Sequence, residues 1–206
     1  MYYAEDFGSI KKKEMRMDKY QDGCIYHVYN IGRNEEAIFF EDRNYKYLIR
    51  KMIHNYKMYG VNIIAFCFMP NHFHLLLKQE SGGSISEFLD ITFAAYDSST
   101  INQEERSGDL FETEPKIVQI KKKEYLKYLI WYIHNNPMKA GMIKRIEEWK
   151  HSNYLECIGR HKAYPFDLNI INEFYGSQAE YKLFGRTTGN DIDPGIEKSG
   201  YLIDNV

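Results

Sequence analysis

The segment from residue 61 to residue 77 restricts the fold more than any other part of the chain. It begins with a nearly continuous apolar run, VNIIAFCF, which is typical of a strand buried at the centre of a sheet. Pro70 and Asn71 then interrupt the run, and both residue types favour turns. A second β-prone run, HFHLLL, follows directly. The segment is therefore predicted to form an antiparallel hairpin.

The second strand of this hairpin carries His72 and His74, separated by Phe73. Side chains at positions i and i+2 leave the same face of a strand, so the two imidazoles are predicted to stand side by side while Phe73 enters the opposite core. Two imidazoles placed in this way supply half of a metal site. The alternative is that both are ordinary polar residues on a half-exposed strand, because so short a pattern also recurs by chance.

Hydrophobic periodicity predicts two further strands and three helices around the hairpin. The strands are residues 24–30 and 116–120, and the helices are residues 42–59, 84–96 and 123–135, with a polar loop at 97–109 and with Pro137 and Gly141 ending the last helix. The order strand, helix, strand, strand, helix, strand is that of the ferredoxin-like βαββαβ fold, an α+β architecture with an antiparallel sheet and its helices on one face. The helix at 123–135 follows this pattern as a further element. We expect the other face to be open to solvent, with the histidines projecting from it or from its edge.

The composition is that of one folded domain. With 206 residues, of which 44% are hydrophobic, the chain can bury one core and a small appendage. We divide it into an N-terminal arm (residues 1–20), a main domain (21–160) and a C-terminal accessory tail (161–206) with a short helix at 168–175. Three widely spaced cysteines without a Cys-x-x-Cys pair, no signal peptide and no run of about 20 apolar residues together favour a cytoplasmic location without membrane contact.

Charge does not by itself indicate a partner. The formal net charge of −2 gives no overall attraction for polyanions, so contact with nucleic acid depends on local basic clusters. These clusters are Lys11, Lys12 and Lys13 with Arg16, and Lys116 with Lys121, Lys122 and Lys123. Taken alone, they are equally compatible with ordinary solvated lysines.

The last predicted helix places Tyr132 and Asn136 four residues apart and therefore on one face. A phenol is a potential nucleophile that needs a nearby metal or base to activate it, and an amide oxygen can bind a hard cation. The alternative is that Tyr132 is a half-buried packing residue, since the chain has 18 tyrosines.

Four sequence motifs follow one another along the chain: residues 26–30 (YHVYN), 69–77 (MPNHFHLLL), 106–111 (RSGDLF) and 132–137 (YIHNNP) with Ala140 and Gly141. With residues 149–159 (WKHSNYLECIG), they resemble the REP-associated tyrosine transposases, a group within the single-tyrosine, HUH-type superfamily of IS200-like transposases. The match covers about residues 20–160.

The resemblance implies a ferredoxin-like catalytic domain that binds single-stranded DNA, commonly folded into a hairpin, and cuts and rejoins it. It implies that His72 and His74 are metal ligands for Mg²⁺ or Mn²⁺, with Asn136 as an amide ligand. It also implies that Tyr132 is the nucleophile, forming a 5′-phosphotyrosine and releasing a 3′-hydroxyl. Tyr96 on the second helix is a reserve nucleophile, and its alternative is a core residue. Members of the group work as monomers and as homodimers, so both states stay open.

The chain departs from the family pattern at two places. Residues 99–101 (STI) replace an aromatic-Asn pair, and residues 111–116 (FETEPK) carry Glu112 and Glu114 where relatives are basic. A carboxylate repels a phosphodiester, so DNA affinity is expected to fall. The alternative function is therefore a diverged hairpin-binding protein with weak or no catalysis. A third class, a small-molecule metallohydrolase on a (β/α)₈ barrel, would need repeated βα units that this chain lacks.

Several residues remain candidates for DNA contact. Arg33, Lys139 and Lys121, Lys122 and Lys123 are candidates for phosphate binding. Tyr26, Tyr29, Phe66 and Phe68 alternate along strands; we expect most of them in the core and no more than one or two to stack on unpaired bases. We expect His134 to form local hydrogen bonds rather than to bind metal.

Overall fold

The computed structural model describes residues 20–104, 108–111 and 113–187. Several predicted features lie outside these residues: most of the N-terminal arm with Lys11, Lys12, Lys13 and Arg16, part of the third motif with Arg106 and Ser107, the residue Glu112, and the end of the tail from 188 to 206. No helix within the described ranges is long and apolar enough to cross a membrane.

Four antiparallel strands form one sheet. They are β1 (Ile25–Ile31), β2 (Val61–Phe68), β3 (His72–Gln79) and β4 (Lys116–Gln119), in the spatial order β2-β3-β1-β4. This order arises when β3 returns from the hairpin with β2 and inserts between β2 and β1, which is the split arrangement of the ferredoxin-like fold. The predicted fold class is confirmed.

Helices α1 (Asp42–Asn55) and α2 (Ile85–Gln103) lie on one face of the sheet. Their apolar side chains share a core with alternate residues of β1, β2 and β3, including Val28, Phe66 and Phe73. Helix α2 extends seven residues beyond the predicted end at Tyr96, so the first half of the predicted loop is wrong. Residues 97–103 are mostly polar, so no apolar helical period is visible in their sequence. Burial still follows the helical period, since Tyr96 and Thr100 are both buried one turn apart.

Helix α3 (Glu124–Lys139) covers the opposite face over β2 and β3, so the expectation that this whole face is open is wrong. The reason is the apolar stripe of α3: Leu129 and Ile133 are fully buried against Ile64, Cys67 and Leu76 of the sheet. Pro137 does not stop the helix as predicted. Only the end of the helix follows Pro137, so its missing N–H removes a single hydrogen bond. This loss falls near the C-terminal end, where the last carbonyl groups lack intrahelical donors in any case.

The chain continues through short elements that pack on α3. They are a 3₁₀ turn, Ile146–Glu148, and the helices α4 (Tyr154–Cys157), α5 (Asn169–Tyr175) and α6 (Gln178–Thr187). A second 3₁₀ turn, Arg33–Glu35, directly follows β1. The predicted short helix near 168–175 is confirmed as α5. The hydroxyl of Tyr175 donates to the carbonyl of Lys127, and Gly185 lies against the ring of Trp131. The described helices of the predicted tail therefore share the core of α3.

His134 links these layers through a fully buried network. The side-chain oxygen of Asn153 accepts from the N–H of Phe66 at 2.7 Å and from His134 Nε2 at 2.9 Å, while the Asn153 amide donates to the carbonyl of Ile64. With Nε2 protonated, His134 Nδ1 accepts from the hydroxyl of Tyr181 at 2.6 Å. Asn153 thus satisfies the backbone at the irregularity of β2 between Ile63 and Ala65. His134 forms hydrogen bonds as expected, although its partners are distant in sequence.

Candidate active site

The strand register places the two histidines beneath α3. His72 and His74 point to the α3 side of β3, while Phe73 between them is buried against α1 and α2, as their alternation predicted. His74 is paired with Tyr29 of β1 on one side and with Cys67 of β2 on the other. Both imidazoles are almost fully buried, with 4% and 1% of their surface exposed, because α3 covers the face that was expected to be open.

The last two turns of α3 complete the cluster. The Oδ1 atom of Asn136 lies 3.3 Å from His72 Nε2, and its Nδ2 atom lies 3.2 Å from His74 Nε2. The ring of Tyr132, one turn earlier, is 5.6 Å from the His74 ring between centroids, in an edge-on arrangement. The structure therefore brings together the four residues that the strand and helix spacings had paired separately.

Neighbouring side chains orient both imidazoles. His72 Nδ1 lies 2.8 Å from Asn71 Oδ1, and since this oxygen only accepts, Nδ1 carries the proton and Nε2 keeps its lone pair. His74 Nε2 accepts from the Asn136 amide, so its Nδ1 donates to His27 Nε2 at 3.1 Å. Both Nε2 lone pairs consequently face Asn136, an orientation that partners of metal-binding histidines commonly impose.

Burial keeps the histidines neutral. Desolvation lowers the pKa of His72, and the adjacent oxygen of Asn136, which favours the protonated ring, opposes this in part. Desolvation lowers the pKa of His74 well below its ordinary value, and the neighbouring His27 and His72 add to this effect. Near neutral pH both rings therefore retain a lone pair for a Lewis acid or a hydrogen-bond donor.

These three side chains fit a divalent cation. The Nε2 lone pair of His72 and the Oδ1 of Asn136 are two acceptors that face each other at 3.3 Å with no proton between them, given the Asn71 contact. A cation bound at this point removes that conflict, and two imidazoles with one amide oxygen suit Mg²⁺ or Mn²⁺ when water or phosphate completes the shell. Among the described residues no group of three or more His, Cys, Asp or Glu side chains could hold a metal ion, so a cation at this point would depend on the amide oxygen as well as the two imidazoles.

The predicted basic residues divide between the two ends of the sheet. Lys139 holds its Nζ 5.6 Å from the centre of the Tyr132 ring, and Arg33 follows β1 at the end where Ile31 pairs with His72. Arg33 forms an exposed ion pair with Asp109 at 3.8 Å. Lys121 and Lys123 instead border a groove with Ile25, at the other end of β1. Lys122 lies between them, with its Nζ 5.0 Å from the Tyr125 ring centre.

Tyr96 lies on the other side of the sheet from the histidines. It is fully buried between α1 and α2, and its hydroxyl donates to the carbonyl of Ile38 at 2.5 Å. Burial raises the pKa of Tyr96 well above its ordinary value. Its surroundings match the core alternative stated for it.

Glu114, one of the two acidic departures, also faces away from the histidines. It lines a groove on the α2 side of the sheet with other acidic and apolar residues, among them Asp90, Asp97, Asp109 and Ile117. The repulsion expected from this carboxylate is therefore directed at the α2 side and not at the histidine pair.

Sequence reasoning missed His27 and Asn71 as partners of the histidines. His27 belongs to the motif YHVYN, which by itself does not connect it to His72 and His74. Only the pairing of β1 with β3 shows that His27 is adjacent to His74, because register between distant strands cannot be read from local sequence. Asn71 had been interpreted only as a turn residue.

Comparison with known proteins agrees with this architecture. The family model described as "Transposase IS200 like" matches residues 20–136, more than half of the chain, so the chain belongs to the IS200-like transposase family. No curated protein matches the sequence.

Three solved structures are similar to this chain to different degrees. A REP-associated tyrosine transposase bound to a REP hairpin superposes with a TM-score of 0.56 and 17% identity, over 72% of this chain and 89% of that one. A candidate transposase from Deinococcus radiodurans gives a TM-score of 0.41 at 16% identity, over 57% and 93% of the two chains. The tRNA(His) guanylyltransferase of Saccharomyces cerevisiae gives 0.42 at 11% identity, over 88% and 84%. The first of these supports the fold, and the other two carry no further weight.

Proposed function

We propose that this transposase cuts and rejoins single-stranded DNA next to a hairpin, with Tyr132 as the nucleophile and His72, His74 and Asn136 as ligands of Mg²⁺ or Mn²⁺. The observation that carries the proposal is the convergence of these four side chains between β3 and α3. Hairpin DNA is proposed because the similar REP-associated transposase was solved bound to a REP hairpin.

In the proposed reaction the phenolic oxygen of Tyr132 bonds to phosphorus as the bond to the 3′ oxygen breaks. The phenol loses its proton, the released 3′-hydroxyl gains one, and the 5′ end stays attached as a phosphotyrosine. A 3′-hydroxyl from another strand reverses the step, so no external energy is needed. A bound divalent cation supplies polarisation of the phosphate and stabilises the charge that develops on it.

The protein's own residues prepare this step. Helix α3 holds Tyr132 beside His74, which keeps nucleophile and ligands in fixed geometry. The ammonium group of Lys139, held near the Tyr132 ring, is placed to stabilise negative charge on the phenol oxygen or on DNA. The covering of the site by α3 excludes water from one side and strengthens these interactions.

A covalent adduct between protein and DNA distinguishes this proposal from the alternative, a hairpin-binding protein without catalysis. Purified protein is incubated with Mn²⁺ and labelled hairpin DNA bearing single-stranded extensions, and products are resolved under denaturing conditions. We expect an adduct with the wild type and none with Tyr132→Phe. The matched control is Tyr96→Phe, which also removes one buried hydroxyl and should retain the adduct.

An adduct formed equally by Tyr132→Phe would overturn the assignment of the nucleophile. A salt-sensitive complex without any adduct, from a wild type that binds Mn²⁺, would favour the alternative.

A further inference from the structure

Helix α3 leaves part of its side of the sheet accessible. It packs on β2 and β3, whereas the side chains that β1 and β4 present on this side are less covered. Tyr29 and Ile31 of β1 and Val118 of β4 are half-buried, and Lys116 is exposed. Tyr29 is paired with His74 in one direction and with Lys116 in the other. An accessible strip of sheet therefore adjoins the histidine pair directly.

The side chains of this strip continue the row of groups in the site. Lys116 Nζ lies 5.8 Å from the centre of the Tyr29 ring, and that ring is 6.3 Å from the His74 ring. On helix α3, the Tyr132 ring lies 5.6 Å from the His74 ring, and Lys139 Nζ lies 5.6 Å from the Tyr132 ring centre. The histidines therefore have two aromatic–lysine pairs near them: Tyr29 with Lys116 on the strip, and Tyr132 with Lys139 on α3.

Burial distinguishes Tyr29 from the other aromatic candidates on the strands. Tyr26, Phe66 and Phe68 are buried in the core against α1 and α2, so no base can reach them without unfolding that core. Tyr29 is half-buried and lies on the side of the histidines. It is the member of this set that has a ring accessible next to the site.

Charge also favours an anionic ligand on this side. The acidic residues Asp90, Asp97, Asp109 and Glu114 border the groove on the α2 side of β4. Lys116 and Lys139 lie on the α3 side, around the histidines. A phosphodiester that approaches from the α3 side meets lysine first, despite the net negative charge of the chain.

We propose that the unpaired nucleotide next to the cleaved phosphate stacks its base on Tyr29 and places its own phosphate against Lys116. Aromatic stacking accepts any base, and a flexible lysine can move from the ring to a phosphate without rearranging the sheet. This inference rests on the proposed function for its ligand, and it adds a specific binding place for single-stranded DNA beside the nucleophile.

The test measures the coupling between Tyr29 and one base. Affinity for hairpin DNA with single-stranded extensions is measured by fluorescence anisotropy in EDTA, where no cleavage occurs, with an abasic site moved through each extension position. Tyr29→Leu should weaken binding to intact DNA about tenfold, which is the range for loss of one stacked base. At one position the abasic site should weaken the wild type by a similar factor and leave Tyr29→Leu unchanged.

A second pair of variants tests the phosphate contact. Lys116→Gln should lower the slope of log affinity against log salt by about one. The matched controls are Tyr47→Leu and Lys51→Gln, because Tyr47 is a half-buried tyrosine on α1 whose ring lies 5.4 Å from Lys51 Nζ, away from the strip. Both should behave as the wild type. Tyr29→Phe keeps the ring and should keep the coupling.

If Tyr29→Leu responds to every abasic site as the wild type does, or if Tyr47→Leu shows the same loss, the inference is wrong. Failure of the proposed function has a different signature: no adduct forms through Tyr132, while the coupling between Tyr29 and one base persists. An adduct without this coupling overturns only the nucleotide site.

Discussion

At the residue scale, the site is built from two imidazoles, each of which uses its Nδ1 atom in a hydrogen bond with a neighbouring side chain. His72 uses Nδ1 to contact Asn71, and His74 uses Nδ1 to contact His27, so each ring directs Nε2 toward Asn136. His27 is itself fully buried, and its Nε2 lies 3.1 Å from His74 Nδ1. We therefore interpret His27 as a positioning residue for His74.

This interpretation predicts the effect of changing His27. His27→Leu removes the acceptor of the His74 Nδ1–H and leaves that group buried without its partner, so Mn²⁺ affinity should fall about 10- to 100-fold. His27→Gln places an amide oxygen near the position of Nε2 and should retain most of the affinity. The measurement is calorimetric titration of metal-free protein with Mn²⁺, with circular dichroism to check folding. Equal affinity for the Leu variant and the wild type would contradict the role.

At the element scale, α3 is clamped between the sheet and the C-terminal helices. Tyr175 binds the backbone at Lys127, Gly185 contacts Trp131, and Tyr181 binds His134, so three successive turns of α3 are held from behind. Tyr132 and Asn136 lie in the last two of these turns. The position of the candidate nucleophile therefore depends on α5 and α6, which sequence reasoning had set aside as an accessory tail.

Gly185 offers a test in which two effects oppose each other. Gly185→Ala improves the helix propensity of α6 by about 1 kcal/mol. However, a Cβ at this position would lie 2.2 Å from Trp131 Cζ3, and overpacking of this kind costs about 1–3 kcal/mol. We expect net destabilisation, measured by urea unfolding. Leu183→Ala, at a side chain that is half exposed on the same helix, is the control and should change stability little. A more stable Gly185→Ala protein would show that α6 does not pack closely on α3.

At the scale of the whole molecule, buried neutral histidines make stability depend on pH. Burial lowers the pKa of His134 to about 4, and the pKa values of His72 and His74 are lowered for the same reason. The unfolded chain binds protons on these groups at higher pH than the folded chain does. The stability that the neutral burial of His134 contributes is therefore complete above about pH 6.5 and is lost as the pH falls toward 4, and His72 and His74 act in the same direction.

The predicted result is a decrease in the free energy of unfolding between pH 7 and pH 4.5, of which His134 accounts for roughly 2–3 kcal/mol. Urea titrations across this range should show a shallower decrease for His134→Gln, by about that amount, whatever the variant's stability at pH 7. His54→Gln, at an exposed position on α1, should follow the wild-type curve. Parallel curves for His134→Gln and the wild type would contradict the prediction.

Local sequence was sufficient for those features that depend on neighbours along the chain. The apolar hairpin, the order of strands and helices, the shared face of His72 and His74 and the shared face of Tyr132 and Asn136 all follow from periods of 2 and 3.6 residues. The errors came where burial overrides local composition, as in the polar end of α2 and in α3 beyond Pro137.

Tertiary structure alone decided which groups meet. The covering of the histidine face by α3, the contact of His27 with His74, the orientation of Glu114 toward the α2 side and the accessibility of Tyr29 all depend on pairing and packing between segments that are distant in sequence. A local pattern records on which face of its own element a side chain lies. It does not record which other element covers that face, because this is determined by the summed packing of the whole core.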